Sequence, residues 1–266
     1  MGADIKSLRS RIRSVDSTLH LTKAMGLVAS SKIRRATQNM GKSREYTGAM
    51  EEVVAQLTAA PECAGSPYMQ ARSGGTVLIV IAGDRGLAGG YNANVFRTAA
   101  TEPQARKIPI GKRACERFGK GFPSSEHFSS EEARKLAEEL CRGFVAGEYG
   151  RLGILYTRYQ SMMTQTAEIK WVLPLTAETE SQAKPTIFEP DEQTVLDAAV
   201  PTYVGGILAA CVRESFASEV AARRMAMDSA GKNAQEMIDR LQLQYNRARQ
   251  NSITQEITEI VAGSGL

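Results

Sequence analysis

Apolar residues recur at alternating steps of three and four from the start of the chain: Ile5, Leu8, Ile12, Val15, Leu19, Ala29, Ile33, Ala36, Met40, Met50, Val54 and Leu57, interrupted only by Thr22, Gly26, Ser43 and Thr47. Sustained over so many turns, this is a heptad seam, and it predicts one helix over residues 1–60. At 1.5 Å per residue, the helix would be about 80 Å long. The tail repeats the pattern in Ala230, Ala234, Met237, Leu241, Tyr245, Ala248 and Ser252, flanked by Val220, Met227, Ile238, Ile253, Ile257, Ile260 and Val261. Pro201 followed by Gly205-Gly206 predicts the start of this second helix, and Gly263-Ser264-Gly265 its end. Gly231 is a weak point in its interior, costing about 1 kcal/mol relative to alanine. Neither stripe can face water alone. The economical solution is an antiparallel coiled coil of residues near 5–57 against residues near 207–262, with Gly26 and Ala29 at a close approach; two separate bundle helices are the alternative.

Between these helices the period changes. All nine prolines lie from Pro61 to Pro201, and a long helix interior does not tolerate proline. Thr76 to Ala82 is a continuous apolar run of strand length, and a helix can start near Tyr91. Lys107 to Gly111 reads as a short strand, with Pro109 favouring an edge. Ser129 and Glu132 have capping-box spacing and open a helix through Val145. Leu152 to Tyr156 and Thr166 to Leu175 predict two further strands, the second antiparallel. Gly65-Ser66-Pro67 and Ser73-Gly74-Gly75 mark an entry linker, and Thr176 to Pro190 an exit. The expectation is a central Rossmann-like α/β domain over 61–201, between coiled-coil helices at 1–60 and 202–266.

Composition is that of an ordinary soluble chain, with 42% hydrophobic and 23% charged residues among 266. No run of about 18 apolar residues proposes a membrane span, and the charged opening does not resemble a secretory signal. Cys63, Cys115, Cys141 and Cys211 are widely spaced without a C-x-x-C, which argues against zinc and disulfide frameworks and for reduced thiols. The net charge of +4 is unevenly placed: residues 1–58 carry ten Lys/Arg against five acids. The first helix should therefore favour an acidic partner.

The one enzyme-like feature is the loop Gly83-Asp84-Arg85-Gly86-Leu87-Ala88-Gly89-Gly90, which follows a buried strand and precedes a helix. Backbone amides there could hold a phosphate. Its glycines do not fit G-x-G-x-x-G, and no Lys-Ser/Thr follows to make a P-loop. Neither His20 nor His127 has a Ser or Cys nucleophile in a recognisable elbow. Only Tyr46 supplies an aromatic ring among the first 60 residues, so a nucleic-acid clamp is weakly supported.

Three segments carry a resemblance to the gamma subunit of the F-type ATP synthase. These are Leu21-Thr22-Lys23-Ala24-Met25-Gly26-Leu27-Val28-Ala29-Ser30-Ser31-Lys32-Ile33-Arg34-Arg35-Ala36, the loop Asp84 to Asn94, and the tail Ala248 to Gly263 with its Ile-Thr-x-Glu-x-x-Glu order. Gly26 stands where that family commonly has a larger residue, and Ala88 where many members have cysteine.

The resemblance implies a central-stalk rotor. Its coiled coil would thread a ring of three alpha and three beta subunits, and its α/β foot would dock on the epsilon subunit and the membrane ring of c subunits. It implies no catalytic residue, cofactor or metal of its own, no nucleic acid and no direct membrane insertion. The protein would sit peripherally on the cytoplasmic face of the cell membrane. Matched by position, Met25, Arg223, Arg249, Gln250, Thr254 and Glu256 would meet the alpha-beta ring, and Arg85 an acidic loop of beta. Phe188, Glu189, Pro190 and Asp191 would belong to the foot. The alternative is a phosphate-binding α/β enzyme dimerised through its terminal helices.

Overall fold

A computed structural model describes residues 2–70, 72–176 and 186–263. The chain runs α1 (Gly2–Ala59), a short 3-10 turn (Pro61–Gly65), β1 (Thr76–Ile81), α2 (Tyr91–Ala99), β2 (Arg106–Ile110), α3 (Lys112–Phe118), α4 (Ser130–Val145), β3 (Arg151–Tyr159), β4 (Gln165–Leu173) and α5 (Glu192–Gly263). It divides into two compact units, residues 1–30 with 223–266, and residues 31–222.

The first unit is a helix pair. Val15 and Leu19 of α1 cluster with Ala234 and Ile238 of α5. Thr22 lies opposite Gly231, and Gly26 opposite Met227. Numbers rise along α1 as they fall along α5, so the pair is antiparallel, and Arg224 Nη1 donates to the Gly26 carbonyl at 3.0 Å. Followed in this register, α1 reaches its first residue near Ser252 of α5. The expected pairing to residue 262 is therefore too long: Ile253, Ile257, Ile260 and Val261 are exposed. α5 is described as far as Gly263; the expected helix end at Gly263-Ser264-Gly265 reaches Ser264 and Gly265, which lie outside the described residues.

The second unit is a three-layer α/β domain that includes the remaining parts of α1 and α5. Its sheet has the order β2-β1-β3-β4, with β1 parallel to both neighbours and β4 antiparallel to β3. Val77, Ile79 and Ile81 face a core shared with α4, α5 and the end of α1, while Leu78, Val80 and Ala82 face α2 and α3. Burial on both faces explains why β1 is a continuous apolar run rather than an alternating one. Pro109 sits in the edge strand β2. Ser129 closes the expected capping box with Glu132 at the start of α4.

Two expectations fail here. Residues 61–68 are not a loose linker: Cys63, Ser66 and Tyr68 are buried, and Ser66 Oγ donates to Asp197 at 2.6 Å. The second long helix starts at Glu192, not near Gly205, and carries Pro201 inside it. Burial of Leu196, Val200, Val204, Ile207 and Leu208 offsets the roughly 3 kcal/mol that an interior proline costs. Gly205-Gly206 serves close packing instead of a helix start. A Cβ on Gly206 would stand 2.9 Å from the Tyr46 ring, and one on Gly205 3.3 Å from the Arg134 backbone. One stretch of α5 is apolar and long enough to cross a membrane, with mean hydropathy 1.7. By composition alone it passes as a span, and 44% of it is buried inside the protein.

β3 runs four residues past its pairing with β1, which ends at Leu155. Polar side chains of the helices take up the overhanging backbone. Thr157 N–H donates to Ser215 Oγ (3.1 Å), Ser218 Oγ donates to the Thr157 carbonyl (3.0 Å), and Tyr159 N–H donates to Glu214 (2.9 Å). Arg44 of α1 completes the set, donating to Glu214 (2.7 Å) and to the Tyr159 carbonyl (2.9 Å). This accounts for Glu214, Ser215 and Ser218 among the buried polar residues of α5.

Candidate functional site

Beside Arg85, the glycine-rich loop is anchored by Asp84. Asp84 accepts from Ser124 Oγ (2.7 Å), Ser125 N–H (2.8 Å), Glu126 N–H (3.1 Å) and Lys112 N–H (3.1 Å). Burial alone pushes its carboxyl up, but these hydrogen bonds outweigh it and hold Asp84 below the usual carboxylate range. Glu126 is paired in turn with Lys32 of α1 at 2.5 Å. On the other side, Tyr91 donates its hydroxyl to the Ser215 carbonyl of α5 (3.1 Å). Burial, followed by the nearby Glu219 charge, pushes the Tyr91 hydroxyl up and keeps it a donor. Gly83 leaves room for the Glu219 carboxylate, which would have to shift if a Cβ were added 2.7 Å from its carboxyl carbon.

The loop amides also argue against a phosphate cradle. Gly83 N–H donates to Asn92 Oδ1 and Tyr91 N–H to the Ala88 carbonyl, so two groups that could face an anion are engaged internally. What the loop presents outward is Leu87, a non-glycine residue with positive φ (61°) and a side chain 61% exposed, and beside it the exposed Arg85. Among the described residues, no group of three or more His, Cys, Asp or Glu is placed to hold a metal ion. Burial raises all four thiols, Cys141 to about 12, which keeps them poor nucleophiles.

In the helical unit several apolar side chains are exposed among the charged ones. Leu21, Leu27 and Val28 of α1 are 58%, 69% and 54% exposed, and Leu243 of α5 is 54% exposed. The seam pattern of the sequence does not single these residues out. They lie off the heptad stripe, and that is the signal that could have found them.

A family model described as ATP synthase matches residues 4–265. The ATP synthase gamma chain of Ruminococcus albus is 40% identical over 280 residues, covering 98% of both chains. That of Geotalea uraniireducens is 38% identical with the same coverage. The chain belongs to the ATP synthase gamma family. Its fold is also that of a solved Euglena gracilis mitochondrial ATP synthase in an OSCP/F1/c-ring assembly, with TM-score 0.69, 18% identity, and 100% of this chain and 97% of that chain covered. The rotor of the same enzyme in rotational state 1 gives 0.66, at 18% identity over 95% of this chain and 100% of that chain.

The residues that the gamma family resemblance nominates divide by unit. Arg249, Gln250, Thr254 and Glu256 are all exposed on the last turns of α5, with Ser252 Oγ donating to Glu256 at 3.4 Å. Met25 and Arg223 are half-buried. In the other unit, Phe188 packs on the core, Glu189 and Pro190 are exposed, and Asp191 caps α5. Its carboxylate accepts from Thr194 N–H and Thr194 Oγ1, both at 2.8 Å, which lowers its pKa.

Proposed function

We propose that this gamma-family chain is the central-stalk rotor of an ATP synthase, carrying rotation between an ion-driven membrane ring of c subunits and a ring of three alpha and three beta subunits. Full-length similarity to gamma chains at 36–40% identity carries this reading. The antiparallel helix pair with exposed Leu21, Leu27 and Val28 agrees with it, because such a surface needs protein around it. The chain performs no bond chemistry. An asymmetric shaft stabilises each catalytic site of the surrounding ring in a different state, and turning it exchanges those states, as any differential contact shifts an equilibrium. Met25, Arg223, Arg249, Gln250, Thr254 and Glu256 face the alpha-beta ring, and Arg85 meets an acidic loop of beta. Phe188, Glu189, Pro190 and Asp191 belong to the foot that docks on the epsilon subunit and the c ring, with Glu189, Pro190 and Asp191 exposed. The complex lies on the cytoplasmic face of the membrane with this chain peripheral to it.

Co-purification tests the assembly: a tagged chain should bring down three alpha and three beta subunits. ATP hydrolysis by a reconstituted complex carrying Arg249→Ala with Gln250→Ala tests the contacts. Turnover and ion pumping should fall by about tenfold while assembly persists, as expected for the loss of one or two charge-assisted bonds in the moving interface. Unchanged hydrolysis and pumping would remove these residues from the mechanism.

A further inference from the structure

Within the α/β unit, the segments of α1 and α5 are flanked by two clefts. One, of about 560 Å³, opens against the start of α4, with Ser43, Ser130 and Arg213 on its walls. The other, of about 840 Å³, opens against β3 and β4, with Arg44, Tyr159 and Glu214 on its walls. Close packing gives little resistance to twist at this level. The shared apolar core takes α5 only as far as Val212, and takes α1 only from Val54 onward. Beyond it, the contact between the helices is Ala36, Met40 and Ala217, with Tyr159 and Phe216 beside them. Two methyl groups and a flexible methionine interlock poorly against sliding.

Two arginines bridge these clefts. Arg213 of α5 donates from Nη1 to Ser43 Oγ of α1 (2.8 Å) and from Nη2 to Ser130 Oγ of α4 (2.7 Å). The Ser43 hydroxyl gives its own proton to the Asn39 carbonyl (3.0 Å), which leaves its oxygen to accept. Arg44, the next residue of α1, donates to Glu214 of α5 (2.7 Å) and to the Tyr159 carbonyl of β3 (2.9 Å). Two adjacent residues on each long helix therefore tie four elements together at one level. Apolar contact is non-directional, whereas a guanidinium holds its donors in a fixed plane. A twist that leaves buried area unchanged still bends these bonds. We infer that Arg44 and Arg213 are positioning residues for torque: they lock α1 to α5, and both to α4 and the sheet, so that the helices do not twist against the foot under load. This rests on the rotor reading.

The experiment uses the assembled complex, its alpha-beta ring fixed to a surface and a bead attached to the foot. The angular variance of the bead in a nucleotide-free pause is inversely related to torsional stiffness. Arg44→Gln with Arg213→Gln should widen that variance by about twofold or more, since directional charge-assisted bonds are replaced by weaker ones. Arg213→Lys, a milder change that keeps the charge but loses the two-nitrogen fork, should widen it in part. Ser66→Ala removes a buried bond to Asp197 away from both clefts, and should lower the urea midpoint while leaving the variance unchanged. Turning of the bead on addition of ATP shows that each complex has assembled. Unchanged variance in the arginine variants, or equal widening by Ser66→Ala, would overturn the inference and leave the rotor reading standing. A wild-type foot that did not turn would sink both.

Discussion

Leu87 and Asp84 show how single residues of one loop serve opposite ends. Leu87 occupies a left-handed conformation that disfavours a branched side chain, while its apolar surface remains outside. Leu87→Gly should raise the stability of the isolated chain by about 1 kcal/mol, read as a higher urea midpoint, because the strain is relieved and little packing is lost. Asp84 is held ionised by its donors, so its contribution is fully present above the unfolded value of about 3.9 and is lost as pH falls through the lower folded value. Asp84→Asn should therefore be less stable by about 1–3 kcal/mol at neutral pH and show a shallower acid limb. Urea midpoints for both proteins, measured down to low pH, check the two statements together. Gly26 is a milder case. A Cβ there would meet Arg224 Nη1 at 3.5 Å and Met227 Cβ at 3.7 Å, ordinary contacts, so Gly26→Ala should stabilise α1 by up to about 1 kcal/mol in thermal melts.

The two long helices differ along their length in what a charge would do. Leu19→Asp puts a carboxylate into the cluster with Ala234 and Ile238 and should cost several kcal/mol, with loss of helical circular dichroism at moderate denaturant. Ile257→Asp, on the unpaired end of α5, should change the isolated chain's stability by less than about 0.5 kcal/mol. Any effect of that substitution belongs to the assembled complex. Where α5 caps the overhang of β3, Glu214→Ala should cost about 1–3 kcal/mol. Most of that cost is the stranded Tyr159 amide, since the half-exposed Arg44 keeps its bond to the Tyr159 carbonyl, and hydrogen exchange at residues 157–159 should report the opening.

For the whole molecule, the rotor and enzyme readings separate cleanly. The glycine loop is anchored through Asp84, Asn92 and Tyr91, with the Gly83 and Tyr91 amides engaged internally. Titration calorimetry of the isolated chain with ATP or a dinucleotide should therefore give no heat at micromolar concentrations; a micromolar site would restore the phosphate-binding enzyme. The edge strand β4 also carries a guard against unwanted pairing. Its Glu168 accepts from Tyr156 at 2.7 Å and its Lys170 pairs with Glu51 at 2.5 Å, charges that would be stranded if another strand displaced them.

Sequence alone determined whatever depends on a local period. The heptad seam of α1 from Leu19 to Leu57, the two-sided burial of β1, the edge position of Pro109 and the Ser129–Glu132 capping box each follow from residues within one element of the chain, where backbone geometry translates directly into pattern. The tail motif and the Asp84–Asn94 segment were legible in the same way. Tertiary structure decided whatever depends on a partner distant in sequence. Pro201 and Gly205-Gly206 read as a helix break, yet they lie inside α5, because core burial offsets the proline and Tyr46 and α4 need the space beside the glycines. Arg85 stood out in the motif, but Asp84 holds the loop, through donors some 28 to 42 residues away. Where the buried seam ends was likewise invisible: periodicity continues to Val261, yet Ile253, Ile257 and Ile260 are exposed, and only the register between the two helices shows it.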